Sequence, residues 1–387
     1  MNNFSSPTNA ETSQTTQQEE DVDGERARCE WDFRISAVVS SPTSAAGAVS
    51  DALGVLEFDP SDNFLATGGI ARKIRVYSVN SLVPIRDQDE GYDAVSLDHS
   101  TACDYYICTP AKLSSLKWKP GWNSRVLGSG DYDGVVMEYD LERRVPVFER
   151  DEHGGRRVWS VDYSHSDPVV GASGSDDGTM QTWDPRCQNG KCLATVQPSK
   201  ARSSVCCVQF SPFAPSIAAG CADRKTYTYD LRKTAEPLFI LDGHLKPVTY
   251  ARFLDHRTIL TSSIDGCIKM WDTDHRNLVR TYKGHINSTR FVVFFFIGLS
   301  VWKKGGLISC GSENNQVFVY DTRWGEPIWV YGCKSTGQPG PEHGFISCVC
   351  WMQRGDDHCT LVAGGSDGVL RVFAGKRRKA AVTYNLA

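Results

Sequence analysis

Residues 155–186, which read GRRVWSVDYSHSDPVVGASGSDDGTMQTWDPR, decide the fold. Apolar and polar residues alternate over Trp159–Tyr163, as they do in a strand with one buried face. A polar turn separates this strand from the small-residue strand Val169–Ser175. Asp177–Gly178 then suits the two left-handed positions of a type I′ hairpin turn. Three strands, two turns and the closing Trp183–Asp184 pair are the pattern of one propeller blade.

The same pattern recurs along the chain, and an aromatic residue marks the end of each third strand. Central intervals of 44, 46 and 42 residues match the period of about 40–45 residues that propeller blades show. Seven such units predict an all-β protein, a seven-bladed β-propeller with a disordered N-terminal tail. The marker residues are Tyr77, Tyr139, Trp183, Tyr229, Trp271, Tyr320 and Phe373.

The two ends of the chain lie outside the repeats. Residues 1–28 are too polar to offset their ordering entropy and are predicted to be disordered. Apolar residues alternate over Glu30–Ser36, which predicts a strand that completes the last blade and locks the ring. We therefore place the propeller at 29–375 and a basic C-terminal tail at 376–387. The Lys-Arg-Arg-Lys run at 376–379 is either a nuclear signal or a solvated tail, and we expect the protein in nucleus and cytoplasm.

Composition excludes several classes of function. A formal net charge of −4 disfavours general binding to nucleic acid, which depends on many Lys and Arg contacts to phosphate. The longest apolar run, Phe291–Leu299, is shorter than the ~20 residues that span a membrane, so no membrane contact is expected. Fourteen cysteines without a secretion signal predict free thiols in a reducing compartment. Cys348 and Cys350 share a strand face, but core packing is favoured over a metal site because no second pair has zinc-finger spacing.

Histidines precede three blades, at His153, His244 and His285. With nearby aspartates and serines they invite a catalytic interpretation. A repeated network that satisfies polar groups buried inside each blade is favoured, because a catalytic set occurs once. No nucleophile–base pair, phosphate loop, metal cluster or cofactor motif stands out, so the sequence predicts a protein that is not an enzyme. The set expected in blade five is His244, Ser263, Asp265 and Trp271.

Two features interrupt the regular repeats. The long connector Asn80–Ala111 predicts an outer strand near Leu82–Ile85 followed by an acidic solvated excursion. In blade six, TRFVVFFFIGLSVW is continuously apolar where a half-exposed strand alternates. Removing Val293–Ile297 restores an interval of 44 residues, so these five residues are interpreted as an insertion that disrupts blade six or bulges from it, exposing Phe294–Phe296.

The repeats resemble a WD40 propeller over about Glu30–Phe373. Several strings in register resemble more closely the C-terminal propeller of the constitutive photomorphogenic E3 ligases of plants, although only about 30 residues stand here where those ligases have a RING and a coiled coil. A propeller-only chain of this kind resembles the plant repressors of UV-B photomorphogenesis. The strings are KLSSLKW (112–118), SGDYDG (129–134), RRVWSVDYS (156–164), SGSDD (173–177), CCVQF (206–210), YDLR (229–232) and GSENNQVFVYD (311–321).

This resemblance implies a noncatalytic repressor. Its relatives bind the UV-B photoreceptor, promote its return to the inactive homodimer and so switch the response off. Implied partners are that photoreceptor, other Val-Pro motif proteins and the photomorphogenic ligase, with this chain a monomer that needs no cofactor.

The resemblance also implies a peptide groove on one face of the ring. Aromatic side chains would enclose the Val-Pro motif, and cations would pair with the acidic residues that flank it. Arg224 departs from the family, which has a histidine at that position, and the insertion adjoins Phe291. The groove residues are Lys112, Tyr132, Arg157, Trp159, Arg224, Lys246 and Phe291.

A second motif leaves an alternative function open. Trp183, Asp184 and Arg186 fit the WD-x-R box with which some WD40 receptors dock on the adaptor of a cullin ubiquitin ligase. In that case the protein is a substrate receptor. The competing interpretation is that Arg186 braces a turn between blades.

Deleting Val293–Ile297 is expected to raise the melting temperature or the soluble yield, because it removes an exposed apolar run. Thermal unfolding and the soluble fraction of the expressed protein measure the effect. If neither differs from the full-length chain, the interpretation as a disruptive insertion is wrong.

Overall fold

The computed structural model describes residues 30–41, 51–83, 94–187, 192–288, 296–333 and 344–378. The predicted disordered tail, residues 84–93 of the first connector, Phe291 and residues 379–387 of the basic tail lie outside these ranges. Every structural statement below concerns the described residues.

Seven sheets form the blades of the ring, as the repeats predict, and their strands pair antiparallel except for β1 and β5 of blade seven. Six sheets have four strands, and the sheet of blade seven has five. Blades one and two contain β2 (Leu53–Phe58), β3 (Phe64–Gly69), β4 (Lys73–Ser78) and β6 (Tyr105–Cys108), then β7 (Leu113–Trp118), β8 (Val126–Asp131), β9 (Val136–Asp140) and β10 (Val145–Arg150). Blades three and four contain β11 (Val158–Tyr163), β12 (Gly171–Ser175), β13 (Met180–Trp183) and β14 (Cys192–Val196), then β15 (Val205–Phe210), β16 (Ser216–Cys221), β17 (Lys225–Asp230) and β18 (Phe239–Asp242).

The remaining blades follow the same order, from the inner strand at the channel to the outer strand at the rim. Blades five and six contain β19 (Val248–Phe253), β20 (Thr258–Ser263), β21 (Cys267–Asp272) and β22 (Asn277–Tyr282), then β23 (Leu299–Trp302), β24 (Leu307–Cys310), β25 (Gln316–Asp321) and β26 (Pro327–Gly332). Blade seven contains β27 (Ile346–Trp351), β28 (His358–Gly365), β29 (Leu370–Arg377), β1 (Trp31–Ser40) and β5 (Val95–Asp98).

A single left-handed residue lies in the turn between the second and third strands of each blade. In blade three it is Gly178, with a φ of 82°. Asp177 is not left-handed, so the predicted type I′ turn is wrong. Its carboxylate instead accepts hydrogen bonds from the backbone and hydroxyl of Thr179, both at 2.7 Å, which holds an Asx-type turn. The equivalent left-handed residues are Arg72, Gly134, Arg224, Gly266, Asn315 and Gly368.

The marker aromatics are buried where blades pack face to face, each at 4% exposure or less, which confirms the repeat assignment. Blades five and six show the arrangement, since Leu260 and Ile268 pack in one cluster with Leu299 and Val301. Burial of such side chains supplies most of the stabilisation between neighbouring blades.

The N-terminal strand closes the ring, as the alternation in Glu30–Ser36 predicts. β1 pairs antiparallel with β29, from Trp31 opposite Arg377 to Val39 opposite Leu370. Its apolar face reaches blade six: the rings of Trp31 and Trp302 meet edge to face at 5.2 Å. Blade seven therefore joins the two ends of the propeller within one sheet.

The connector between the third and fourth strands of blade one differs from the prediction. Leu82 lies in the short helix α1 (Val79–Leu82), and the outer strand of blade one is β6. Between them, β5 pairs in parallel with β1, and the short helix α2 (His99–Ala102) follows it. His99 lies 2.8 Å from the hydroxyl of Tyr77 and 2.9 Å from the carbonyl oxygen of Gly368. The connector thus links blade one to blade seven. The apolar pattern of a single segment does not predict this link, because the partners are distant in sequence.

Ion pairs reinforce the closure. Glu30 pairs with Arg323 of blade six and with Arg377 of β29. Burial alone would raise the pKa of Glu30, but hydrogen bonds from the two arginines outweigh it and lower the pKa. β29 extends through Arg377, so part of the basic run at 376–379 belongs to blade seven.

Buried cysteines fill small spaces in the sheets, as expected. Cys206, Cys207 and Cys221 are buried, and burial raises the pKa of Cys348 and Cys350 to about 12. The twelve cysteines whose side chains the structure describes are free thiols. Over the same ranges, no group of three or more His, Cys, Asp and Glu residues is arranged to hold a metal ion. None of the described helices is both long and apolar enough to cross a membrane.

Replacing Glu30 with Gln is expected to lower the free energy of unfolding by about 1–2 kcal/mol at pH 7, because two charge-assisted hydrogen bonds are weakened. Because the pKa of Glu30 is lower in the folded state, the ionised carboxylate stabilises the fold at pH values above its unfolded-state pKa, which is about 4.3. This stabilisation is lost as the pH falls through the folded-state pKa. Urea unfolding of both proteins at several pH values measures the difference, which should shrink below about pH 4.

Asp32→Asn is the matched control, since Asp32 lies two residues from Glu30 but its carboxylate is exposed and 3.8 Å from Arg378. Equal effects of the two substitutions, or a difference independent of pH, would contradict a stabilising role for the Glu30 ion pairs.

Candidate functional site

The predicted groove residues that the structure describes lie at one end of the inner strands. This end is here called the upper face, and it is the face at which β2, β7, β11, β15, β19, β23 and β27 begin. Lys112 and Arg157 immediately precede β7 and β11, and Trp159 is the second residue of β11. Tyr132 follows the end of β8, which returns to the same face. The structure therefore brings these four residues together on one surface.

A β-bulge explains why Trp159 faces the channel. The pairing of β11 with β12 shifts between Val158 and Ser160, which leaves Trp159 as the extra residue. A bulge bends the strand and redirects the side chain at that position. Other inner strands carry small residues at the equivalent bulge: Gly54, Ser114, Cys206, Thr249 and Ser347. Trp159 therefore projects a large ring where its neighbours leave space.

An aromatic and cationic cluster surrounds Trp159. The guanidinium carbon of Arg157 lies 4.2 Å from the ring centroid of Tyr132 and 4.5 Å from that of Trp159. The two rings are 6.4 Å apart. Asp176, which sequence reasoning missed, accepts a hydrogen bond of 2.6 Å from the indole Nε1 of Trp159. Burial raises the pKa of Tyr132, so its phenol is neutral.

Backbone hydrogen bonds fix these side chains relative to each other. The amide of Tyr132 donates to the carbonyl oxygen of Lys112 at 3.0 Å. In the next blade the amide of Asp176 donates to the carbonyl oxygen of Arg157, also at 3.0 Å. Each pair extends the ladder of its inner strand, so the cluster is built on sheet rather than on a free loop.

The two other predicted cations lie further around the upper rim. Arg224 is exposed and occupies the left-handed turn position of blade four, with a φ of 77°. Lys246 precedes β19 in blade five, and its ammonium group donates to the carbonyl oxygen of Ser288 at 3.2 Å. Both are accessible to a ligand that crosses the upper face from blade two toward blade five.

Phe291 lies outside the described residues, and strand register assigns its expected place to another phenylalanine. In blade three the residue before the inner strand, Arg157, precedes the final aromatic Tyr163 by six positions (163 − 157). Counting six back from Trp302 in blade six gives Phe296 (302 − 296). The sequence contains this spacing, but it is recognised only when the inner strands are aligned by their last residues.

Phe296 contacts the cluster directly. Its ring centroid lies 4.1 Å from that of Trp159, across the channel from blade six to blade three. The expected exposure of Phe296 is thus wrong, because the ring is half-buried on Trp159. Ile297, also assigned to the insertion, is 4% exposed, and blade six retains four strands although β23 has only four residues.

The two rings lie at the upper end of a central channel of about 530 Å³ that the inner strands line. Deeper in the channel Lys117 pairs with Glu57 and lies 3.9 Å from Asp162. Burial alone would lower the pKa of Lys117, but the two carboxylates raise it, so the ammonium group stays charged. The charged groups Lys117, Glu57 and Asp162 thus lie within the channel, and the aromatic rings lie at its upper mouth.

The histidines form buried networks that repeat, as expected. His244 lies 2.9 Å from Asp265 and 2.8 Å from the hydroxyl of Thr261, which also accepts from Trp271 at 2.8 Å. Thr261 thus takes the place expected for Ser263, whose hydroxyl donates to the carbonyl oxygen of Lys246 at 2.9 Å. Alternation with a period of two puts Thr261 and Ser263 on the same face of β20. Of the two hydroxyls, that of Thr261 lies within hydrogen-bond distance of both rings.

Two other blades use related arrangements. His153 lies 2.7 Å from both Asp177 and Ser173. His285 lies 3.0 Å from the hydroxyl of Tyr320, and burial lowers the pKa of this histidine to about 4, so it is neutral. Because these sets recur inside separate blades, they support a structural role.

The WD-x-R residues lie on the opposite, lower face, where the third strands end. Trp183 is buried, and Arg186, which is 56% exposed at the side chain, pairs with Asp184 at 2.6 Å and with Asp167 of the preceding lower loop. These hydrogen bonds raise the pKa of Arg186 and lower that of Asp184. Arginine braces of the same form occur at Asp230–Arg232 and Asp321–Arg323.

Two family profiles match this chain. The profile of the WD domain, G-beta repeat, matches residues 144–184, and that of the Nucleolar protein 10-like N-terminal domain matches residues 167–320. With the seven sheets described above, these matches define a WD-repeat β-propeller protein.

Full-length similarity narrows the class. WD repeat-containing protein RUP2 of Arabidopsis thaliana is 58% identical over 335 residues, which cover 85% of this chain and 89% of that protein. WD repeat-containing protein RUP1 of the same plant is 57% identical over 353 residues, covering 90% of this chain and 86% of that protein. The chain belongs to this RUP family of WD repeat-containing proteins.

A more distant relative shares only the propeller-sized part of its length. E3 ubiquitin-protein ligase COP1 of Arabidopsis thaliana is 33% identical over 323 residues, which cover 82% of this chain but 44% of the ligase. The resemblance to the photomorphogenic ligases is therefore confirmed, and it spans less than half of that protein.

Thr261→Val is expected to lower the free energy of unfolding by about 2–4 kcal/mol, because buried nitrogens of both His244 and Trp271 lose their hydrogen-bond partner. Urea unfolding followed by far-UV circular dichroism measures the change.

Thr249→Val is the control. Thr249 is equally buried, but its hydroxyl makes one hydrogen bond of 3.3 Å, to the carbonyl oxygen of Ser262. A cost for Thr261→Val no greater than for the control would argue against the network as a stabilising element.

Proposed function

We propose that this protein is a noncatalytic interaction protein that represses UV-B light signalling by binding Val-Pro peptides on the UV-B photoreceptor. The observation that carries the proposal is the cluster of Tyr132, Arg157 and Trp159 at the mouth of the channel. Membership of the RUP family and similarity to the photomorphogenic ligase support it.

The chemistry of the upper face suits such a peptide. Aromatic rings offer a flat apolar contact for valine and proline at little entropic cost, and buried aromatic residues supply most binding energy in many interfaces. Cations at Lys112, Arg224 and Lys246 would pair with acidic residues on either side of the motif. Asp176 holds the indole of Trp159 by its nitrogen, which fixes the ring before the ligand arrives.

The proposed mechanism is competitive. The protein occupies a peptide that the photomorphogenic ligase also needs, and it holds two receptor monomers so that they pair again. Partners would be the photoreceptor, other Val-Pro motif proteins and the ligase itself, met in the nucleus and cytoplasm. Because the upper face needs no reacting group for this task, the proposal requires neither cofactor nor catalysis.

The alternative, a substrate receptor of a cullin ubiquitin ligase, has less support. Arg186 already pairs with two carboxylates, so an adaptor would have to share or replace those contacts. The bracing role suits the repeated Asp–Arg pairs of other blades. Docking on Arg186 nevertheless remains compatible with peptide binding, since the two sites lie on opposite faces.

Binding of Val-Pro peptides from the photoreceptor tail tests the proposal by isothermal titration calorimetry. Trp159→Ala should weaken binding at least about tenfold, because it removes the central ring of the cluster. Lys246→Glu should weaken binding, because an attraction for acidic residues of the peptide becomes a repulsion. The effect should be largest at low salt, where charges on the surface are screened least. Both variants should also slow re-dimerisation of the photoreceptor.

Arg186→Ala on the lower face is the control and should leave peptide affinity unchanged. Loss of adaptor pull-down by this variant would favour the receptor alternative for the lower face. Peptide affinity and re-dimerisation rate that survive both upper-face substitutions would overturn the proposed function.

A further inference from the structure

Trp159 is covered on its ring by groups of this chain itself. The guanidinium carbon of Arg157 lies 4.5 Å from the ring centroid, and the Phe296 ring lies 4.1 Å from it at an interplanar angle of 31°. The indole nitrogen at the ring edge is held by Asp176. A centroid distance of 4.1 Å is close stacking, so no side chain of a ligand fits between the two aromatic rings.

The neighbours of Phe296 anchor it in this position. Ile297 is buried at the place where Val158 and Val248 begin their inner strands. The amide of Gly298 donates to the carbonyl oxygen of Ser347 at 2.9 Å. Blade six therefore delivers Phe296 to the channel mouth through the same strand register that delivers Arg157 from blade three.

We propose that Phe296 occupies, from within the chain, the apolar subsite on Trp159 that a peptide side chain would take. The inference rests on the proposed function, since it names the competitor at that site. A Val-Pro ligand must displace the Phe296 ring before its own apolar residue contacts the indole. The free protein is thus self-occluded, and its affinity for the peptide is lower than the open cluster allows.

Peptide titration of Phe296→Ala tests the inference. Removing the ring should tighten binding about 3–10-fold, because the ligand no longer competes with an intramolecular stack. Phe296→Leu, which retains an apolar side chain without the ring, should give an intermediate affinity and covers the case in which the alanine variant folds poorly. Leu245→Ala is the matched control, since Leu245 is apolar, 79% exposed and on the same face but outside the Trp159 stack.

A second measurement needs no peptide. Acrylamide quenching is compared between Phe296→Ala and the unmodified chain, each with and without Trp159→Phe. The chain has ten tryptophans, and the quenching lost on Trp159→Phe in each background is the contribution of Trp159 alone. Phe296→Ala should increase quenching only where Trp159 is present.

Affinity that is unchanged or weaker in both Phe296 variants, or quenching of Trp159 that does not rise, would overturn self-occlusion. The proposed function fails separately: Trp159→Ala would then bind the peptide as well as the unmodified chain, whatever the Phe296 variants do.

Discussion

The antiparallel pairing of β1 with β29 is the contact on which the ring depends. It joins Trp31 to Arg377 across almost the whole described chain, so it closes a very long loop, and each further contact must help to offset that entropy. Blade seven would otherwise expose the unpaired edge of β29, and free edges invite association with other chains. Two contacts fix the register of this pairing. Trp31 packs against Trp302 on one face of β1, and the ion pairs of Glu30 lie at the start of the strand.

A second closure strengthens the same junction by an unusual route. The connector of blade one leaves its own blade, adds β5 beside β1 and returns as β6. Between these two strands it places His99 beside the hydroxyl of Tyr77. In blade six the equivalent contact is between His285 and Tyr320, and there the histidine comes from the segment that precedes the blade. Because His99 also contacts Gly368, one imidazole links blade one to blade seven. Two segments distant in sequence therefore stabilise one seam.

The local sequence pattern predicted the repeated parts of the fold because each blade buries the same residue types at the same positions. The buried aromatics, the closing strand and the structural histidines all follow from burial and alternation. Prediction failed where the partner is distant: Leu82–Ile85 resembles a strand by its apolar residues, yet the edge of β4 is paired by β6. It failed also where neighbouring positions compete, as with Thr261 and Ser263, because only the assembled sheet shows which hydroxyl faces the buried rings.

The site shows how the repeat constrains function. A bulge near the start of an inner strand places one side chain in the channel mouth, and small residues at most of these positions keep the mouth open. Trp159 fills it from blade three, and the residue at the strand entrance of blade six, Phe296, reaches it from the opposite side. In blade six, strand register counted from Trp302, and not distance along the chain from His285, decides which side chain stands at this entrance. Changes in segment length between blades can therefore exchange the side chain that meets Trp159 while the ring itself keeps its seven blades.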